Sequence, residues 1–308
     1  MSQAAGRPFG LVPRRRFVGV RFGQHRSPRR GQGDEVAGTR PYRPGDRRTW
    51  IDWRASARLS AARGSDEFVV REFFADTAPM VALAVDRRPR MQLYGPPLPW
   101  LDKAAATDAA VSAIGRATLA AGGELAYVEQ RGARPRWQSP GPPLRVLDAV
   151  RSDADAPAAA AGRQSLDGSL QVLVRHASSF PAGTFVFVVS DFIDAVSPRL
   201  WLKLRSLRWD VTPVIVQDPT WEASFPAVGG VLLPVRDATS GELSEVAISG
   251  REARARGAAN EQRLERLLSG FARVGFDPVV LASSEPAAVA AAFEGWAARR
   301  RRLRRRSA

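Results

Sequence analysis

Thr184-Phe-Val-Phe-Val-Val-Ser190, with Asp191 directly after it, is the stretch that decides how the rest of the chain is read. Its apolar residues are consecutive rather than alternating, the pattern of a strand buried on both faces of a sheet. Met80-Val-Ala-Leu-Ala-Val85 repeats the pattern and also runs straight into an aspartate, Asp86. Working outward, Glu124–Glu129, Val211–Val216 and Pro278–Leu281 read as further strands, with a short return strand at 134–137 after a turn at Arg131-Gly-Ala133. Helical patterns lie between them. One is alanine-rich, spans 103–121 and stops at Gly122-Gly123; a second covers 166–178. A third, over 251–274, places Leu264, Leu267, Leu268, Phe271 and Val274 on one face and ends at Gly275. The last begins near Ser284 and buries Val289, Phe293 and Trp296. Strands alternating with helices predict an α/β, Rossmann-type fold: a mostly parallel sheet with helices on both faces.

Upstream of this domain the composition changes. Residues 1–35, rich in Arg, Gly and Pro, read as a basic, partly flexible arm, and residues 36–78 as a small β-rich lobe. In that lobe Tyr42-Arg-Pro-Gly-Asp46 is turn chemistry, because Pro44 fixes φ and Gly45 permits positive φ. Thr49-Trp-Ile-Asp-Trp53 alternates as an extended segment does, and Glu67–Phe74 reads as a strand. The α/β domain then occupies 79–298, with a linker at 152–162 and a hairpin inserted at about 226–250 that turns at Ala238-Thr-Ser-Gly241. An arginine-rich tail, 299–308, ends the chain as a solvated segment.

Composition excludes several chemistries. The chain has no cysteine, so disulfides, zinc ribbons, iron–sulfur clusters and thiol nucleophiles are ruled out. Its only histidines are His25 and His176, and neither has ligand-like company, which argues against a multi-histidine metal site or a serine–histidine triad. The net charge of +15 concentrates at the ends: residues 1–60 hold 14 arginines against Asp34, Glu35, Asp46 and Asp52, and Arg299–Arg306 adds seven more, leaving about −2 between them. Charge alone, without a recognition-helix pattern, makes nucleic acid an unlikely partner. Contact of the basic ends with an anionic membrane is the other reading of the same charge. No stretch reaches the roughly 18 apolar residues of a membrane span, and residues 1–20 lack the apolar centre of a signal peptide. The expected compartment is the cytoplasm, with membrane association at its inner face.

Several stretches carry a resemblance. They are Gly31-Gln-Gly-Asp-Glu35, Arg40-Pro-Tyr-Arg-Pro-Gly-Asp46, Arg48-Thr-Trp-Ile-Asp-Trp-Arg-Ala-Ser-Ala-Arg58, Val70-Arg-Glu-Phe73, Val189-Ser-Asp-Phe192 and Asp218-Pro219. Together they resemble the bacterial "domain of unknown function 58" family over roughly residues 20–298. The resemblance implies a von Willebrand A-like domain that works with a MoxR-type AAA+ ATPase in complex assembly or envelope processes, with no enzymatic activity established. It also implies where a metal-ion-dependent adhesion site would lie. That site opens with aspartate-x-serine-x-serine, and this chain has Asp86-Arg-Arg-Pro-Arg90, so Arg88 and Arg90 stand at the hydroxyl positions. Ser165 or Gln164 would supply the second motif, and Ser190-Asp191 the third. Arginine donates only and stays charged, so it repels a cation. The expectation is a degenerate site without a cofactor, Mg²⁺ being the one candidate ion, in which Arg88 or Arg90 pairs with Asp86 and Asp191.

Arg40–Arg58 is the second candidate site. Arg40, Tyr42, Arg43, Gly45, Asp46, Arg48, Trp50, Asp52, Trp53 and Arg58 combine the aromatic and arginine types that dominate interface hot spots. The competing reading makes the tryptophans internal plugs and Asp52–Arg58 an internal ion pair. A nucleic-acid or anionic-membrane binder driven by the basic ends, and a metal-dependent hydrolase using Asp86 and Asp191, are the remaining alternatives.

Overall fold

The structure is a computed structural model that describes residues 7–14, 36–44, 46, 48–65, 67–73, 78–130, 135–152, 165–237 and 242–306. His25, Gly45, Arg131–Ala133, Gln164, the linker at 153–162 and the hairpin turn at 238–241 lie outside them. The chain divides into two compact units, 16–78 and 1–15 together with 79–308.

The larger unit is built on a six-stranded sheet among the described residues. Its strands are β3 (Met80–Asp86), β4 (Glu124–Gln130), β5 (Arg136–Gly141), β6 (Phe185–Ser190), β7 (Asp210–Val216) and β10 (Val279–Leu281). Their order is β10-β7-β6-β3-β4-β5. All neighbours pair parallel except β5, which closes one edge antiparallel to β4. Side-chain alternation assigns each strand residue to a face. Val81, Leu83 and Val85 of β3, Leu125 and Tyr127 of β4, and Phe185, Phe187 and Val189 of β6 enter one core. The other core receives Ala82, Ala84, Ala126, Val128, Val186 and Val188.

Helices cover both faces, as the unbroken apolar runs require. On the first lie α2 (Lys103–Ala120), α3 (Pro143–Ser152) and α7 (Pro286–Arg306), which contribute Ala110, Ile114, Val146, Val150, Val289, Phe293 and Trp296. On the second lie α4 (Leu166–Arg175), α5 (Pro198–Ser206) and α6 (Gly250–Val274), through Leu170, Leu173, Trp201, Leu204 and Phe271. Helices α3 and α5 were not expected; both are short and begin on proline, whose fixed φ suits the first helical position. Ser249 starts α6 with a full capping box to Glu252, and Gly275 ends it in the left-handed region at φ 81°. Gly123 is required at the start of β4, where a Cβ would come within 2.3 Å of the Pro79 carbonyl oxygen. The hairpin of β8 (Val231–Arg236) and β9 (Leu243–Ile248) forms a separate two-stranded sheet.

Both chain ends differ from expectation. Phe9 stacks on Phe293 with centroids 4.8 Å apart and meets Trp296 edge-on, and Val12 is buried as well, so these two residues of the expected arm are part of the core; residues 1–6 and 15–35 of it lie outside the described residues. The arginine run continues α7 to Arg306 instead of leaving it as a tail. Arg300 is 2% exposed, and it reaches Asp210, Asp277, Thr212 Oγ1 and the Val12 carbonyl. Its guanidinium also lies over the Trp296 ring, 4.2 Å from the centroid.

The smaller unit pairs β1 (Val36–Pro41) with β2 (Val69–Phe73) antiparallel and carries the helix α1 (Trp53–Arg63). Residues 48–53 are not extended: Arg48–Trp50 is a 3-10 turn, Ile51 bridges to Val70, and Trp53 opens α1. The physical reason is capping. Asp52 Oδ1 accepts from the Ala55 N–H at 3.0 Å, good helix formers follow, and Gly64 closes the helix at φ 66°. Among its described residues the lobe, expected to be β-rich, is a strand pair with one helix.

Candidate functional site

In an open parallel sheet ligands bind beyond the carboxyl ends of the strands, where the strand order reverses. Here the chain builds outward from β3 through β4 and β5 on one side, then from β6 through β7 and β10 on the other. The reversal therefore lies between β3 and β6, and their ends deliver Asp86 and Asp191 to it, both fully buried. Ser190 ties the two strand ends together by donating from Oγ to Asp86 Oδ2 at 2.8 Å. Phe192, next along, sits in the left-handed region at φ 51°, which a bulky residue rarely adopts.

Cations close the site. Arg88 grips Asp86 bidentately, from Nε to Oδ1 at 2.9 Å and from Nη2 to Oδ2 at 2.7 Å, and its backbone N–H adds a third bond at 3.1 Å. Its Nη1 reaches Asp194 Oδ2 at 2.8 Å. Burial alone would weaken the charge on Arg88; the hydrogen bond to Asp86 and the fields of Asp86, Asp194 and Asp191 outweigh it and hold the guanidinium more firmly protonated. Arg90 lies farther out, with Nε 3.7 Å from Asp191 and Nη1 2.8 Å from Asp194.

Asp191 has a different cation. Lys103, the first residue of α2 and fully buried, places Nζ 2.7 Å from Asp191 Oδ2 and 2.7 Å from Glu222 Oε1. A lysine at this end of a helix faces the positive pole of the macrodipole, so the two carboxylates must offset both the dipole and the lost hydration. Asp191 Oδ1 accepts from the Ile193 N–H, and Gln217 donates to the Asp191 carbonyl at 2.5 Å. Burial raises the Glu222 carboxyl above its ordinary value, with Lys103 pulling against it. Burial also raises the nearby Tyr94 hydroxyl, helped by Glu222, Asp218 and Asp191. Asp218 is satisfied by backbone, taking N–H groups from Leu101, Thr220 and Trp221.

The predicted residues thus separate. Asp86, Arg88, Ser190 and Asp191 come together and Arg90 stands beside them; Ser165 is an exposed N-cap of α4 that makes no capping bond. Sequence reasoning missed Lys103, Glu222 and Asp194. The available signal was Lys103 itself, one of two lysines in an arginine-biased chain, at the head of an otherwise alanine-rich helix. His176 stacks on Trp137, centroids 4.6 Å apart. Among the described residues no group of three or more His, Cys, Asp or Glu side chains is placed to hold a metal ion, and no helix is long and apolar enough to cross a membrane.

In the smaller unit, several residues expected at an interface hold the lobe together. Arg40 forks onto Asp46 with two bonds of 2.7 Å, and the Arg43 N–H adds a third. Asp52 pairs with Arg71 at 3.0 Å, not with Arg58, because the capping position turns its second oxygen toward β2. Trp50 is half-buried, while Arg43, Arg48 and Arg58 are exposed. Trp53 is 62% exposed and so is no internal plug. The Arg40 hydrogen bond, then the Arg43 N–H, depress the Asp46 carboxyl from 3.8 to about 2. A lowered acid contributes stability above its unfolded value and loses it as pH falls through the folded one. The Asp46 carboxyl carbon followed by NMR should accordingly titrate near pH 2, and in Arg40→Ala it should return toward 3.8.

The family described as "Protein of unknown function DUF58" matches residues 38–266. Uncharacterized proteins of Mycobacterium bovis and Mycobacterium tuberculosis are 28% identical over 253 residues, 80% of this chain and 73% of each relative. Among solved structures, an aerotolerance-related membrane protein from Bacteroides fragilis aligns with 72% of this chain and 99% of its own, at 10% identity and a TM-score of 0.43. The pilus adhesin SpaC from Lactobacillus rhamnosus GG aligns with 73% and 31%, at 12% identity and a TM-score of 0.35.

Proposed function

This chain belongs to the DUF58 family, and from that premise we propose that it is a non-enzymatic interaction module of von Willebrand A type with a degenerate metal site. In this reading it works with a MoxR-type AAA+ ATPase in complex assembly or envelope-related processes. One observation supports the reading above all others: each of the four oxygens of Asp86 and Asp191 already accepts from a protein donor. Divalent cations need oxygen ligands with free lone pairs, and here two fixed side-chain cations occupy the approach. Carboxylates engaged in this way are not free to serve as a base toward a nucleophile, which disfavours hydrolysis.

Calorimetric titration with Mg²⁺ and Mn²⁺ is expected to give no saturable heat. Saturable micromolar binding that disappears in Asp86→Ala would overturn the degenerate-site assignment. The partner is tested separately, by affinity capture of the intact protein with ATP, ADP or a non-hydrolysable analogue, followed by identification of what is retained. Recovery of an AAA+ ATPase in a nucleotide-dependent manner is the expected outcome; its absence under all three conditions removes the partner from the proposal.

A further inference from the structure

The geometry points to one face of the small lobe, centred on Trp53, Phe68 and Tyr42, as a docking surface for an acidic partner segment with apolar anchors. This deepens the interaction-module reading and rests on it. Three aromatic side chains cluster there with much of their surface in solvent: Trp53 is 62% exposed, Phe68 45% and Tyr42 36%. Phe68 is the hub, 6.0 Å from the Trp53 ring and 6.5 Å from the Tyr42 ring. Exposed aromatic clusters of this kind mark interaction surfaces.

Charge identifies the occupant. In this unit Asp46, Asp52 and Glu67 are each taken by an arginine of the lobe: Arg40, Arg71 and Arg63. Among the described side chains that leaves Arg43 beside Tyr42, Arg48, and Arg54 and Arg58 one helical turn apart on α1, all exposed and none in an ion pair. Four exposed guanidinium groups in the same lobe as the aromatic cluster, none of them paired with a described carboxylate, complement carboxylates flanking apolar side chains. A single-stranded nucleic acid would need ring faces side by side for successive bases. Here the rings meet edge-to-face, at interplanar angles of 82° and 76°, which favours anchoring of protein side chains.

The test uses the intact protein and fluorescence anisotropy at about 150 mM salt, where purely ionic binding is weakened. The probes are a labelled peptide alternating Asp and Glu with Leu and Phe, its Lys-for-acid counterpart, and an oligothymidylate. Saturable binding of the acidic peptide alone is expected. It should weaken at least ten-fold in Trp53→Ala and in Arg54→Glu/Arg58→Glu. A control, Arg251→Glu/Arg254→Glu, changes the net charge equally at exposed positions of α6 and should leave binding unaltered. Far-UV circular dichroism establishes that each variant is folded. Equal loss in the control, tighter binding of the oligothymidylate, or no binding of the acidic peptide to the folded wild-type protein overturns the proposal. Affinity capture separates the two readings. If the wild-type protein retains an ATPase while the folded protein binds no acidic peptide, this surface is excluded and the module stands. If the peptide binds through the lobe while no ATPase is retained, the surface stands and the ATPase is excluded.

Discussion

Lys103→Met is expected to lower the unfolding free energy by about 3–5 kcal/mol, the cost of leaving buried charge without its counter-ion. Methionine matches the lysine stem in length, so packing is nearly preserved and the loss reports on charge. In the variant, Asp191 and Glu222 face one another in a fully buried setting with their shared cation gone. Urea titration would register the loss as a lower midpoint at unchanged slope. The pH dependence has a definite sign. Burial already raises the Glu222 carboxyl above its ordinary 4.5. The folded form therefore holds that proton more tightly than the unfolded chain, and its contribution is present in acid and lost as pH rises through the folded value. Without Lys103 opposing the rise, the penalty should shrink as pH falls and grow toward neutrality. Adding Asp191→Asn and Glu222→Gln to Lys103→Met should recover part of the loss, because no uncompensated charge then remains. A single variant that costs under about 1 kcal/mol would mean that the lysine is not the counter-ion of this pair.

The second large effect belongs to the arginine run at the chain end. Arg300→Met is expected to cost about 3–5 kcal/mol, because Asp210 and Thr212 lose a buried donor along with the Val12 carbonyl that holds the N-terminal segment. Burial raises the Asp210 carboxyl and Arg300 is the first of the groups lowering it, so removing the guanidinium should drive Asp210 higher still. Arg300→Lys should rescue little: one ammonium cannot reach Asp210, Thr212 and Asp277 from a single planar fork. Arg301→Ala and Arg302→Ala, at exposed positions on the same helix, are expected to change stability by no more than about 0.5 kcal/mol. Thermal or urea unfolding of the four variants distinguishes a structural arginine from a solvated run. Four similar values would show that Arg300 has no special place.

Much of the larger unit was legible because its periodicity is local. Residues 185–189 and 81–85 carry no polar alternation, and only a strand covered on both sides accommodates that pattern. The end of α6 was legible for the same reason, since Gly275 closes it with an N–H whose acceptors lie within four positions. Residues 49–53 misled because their alternation is also compatible with a turn and a helix start, and the Asp52 cap outweighed it. Phe9, too, gave no local sign that it would stack on Phe293.

The sequence by itself determined that two buried strands would end in aspartate, and that arginines rather than hydroxyls would follow the first of them. It could do so because strand burial and side-chain charge depend on neighbours along the chain. Only the tertiary structure decided which cation meets which carboxylate. Arg88 closes on Asp86 two residues away, whereas Asp191 is matched by Lys103, 88 positions distant, and Lys103 in turn by Glu222, 119 positions distant. Pairing at that separation is set by how α2 docks against the ends of β6 and β7, and a buried charge takes whichever counter-ion the packing brings within about 3 Å.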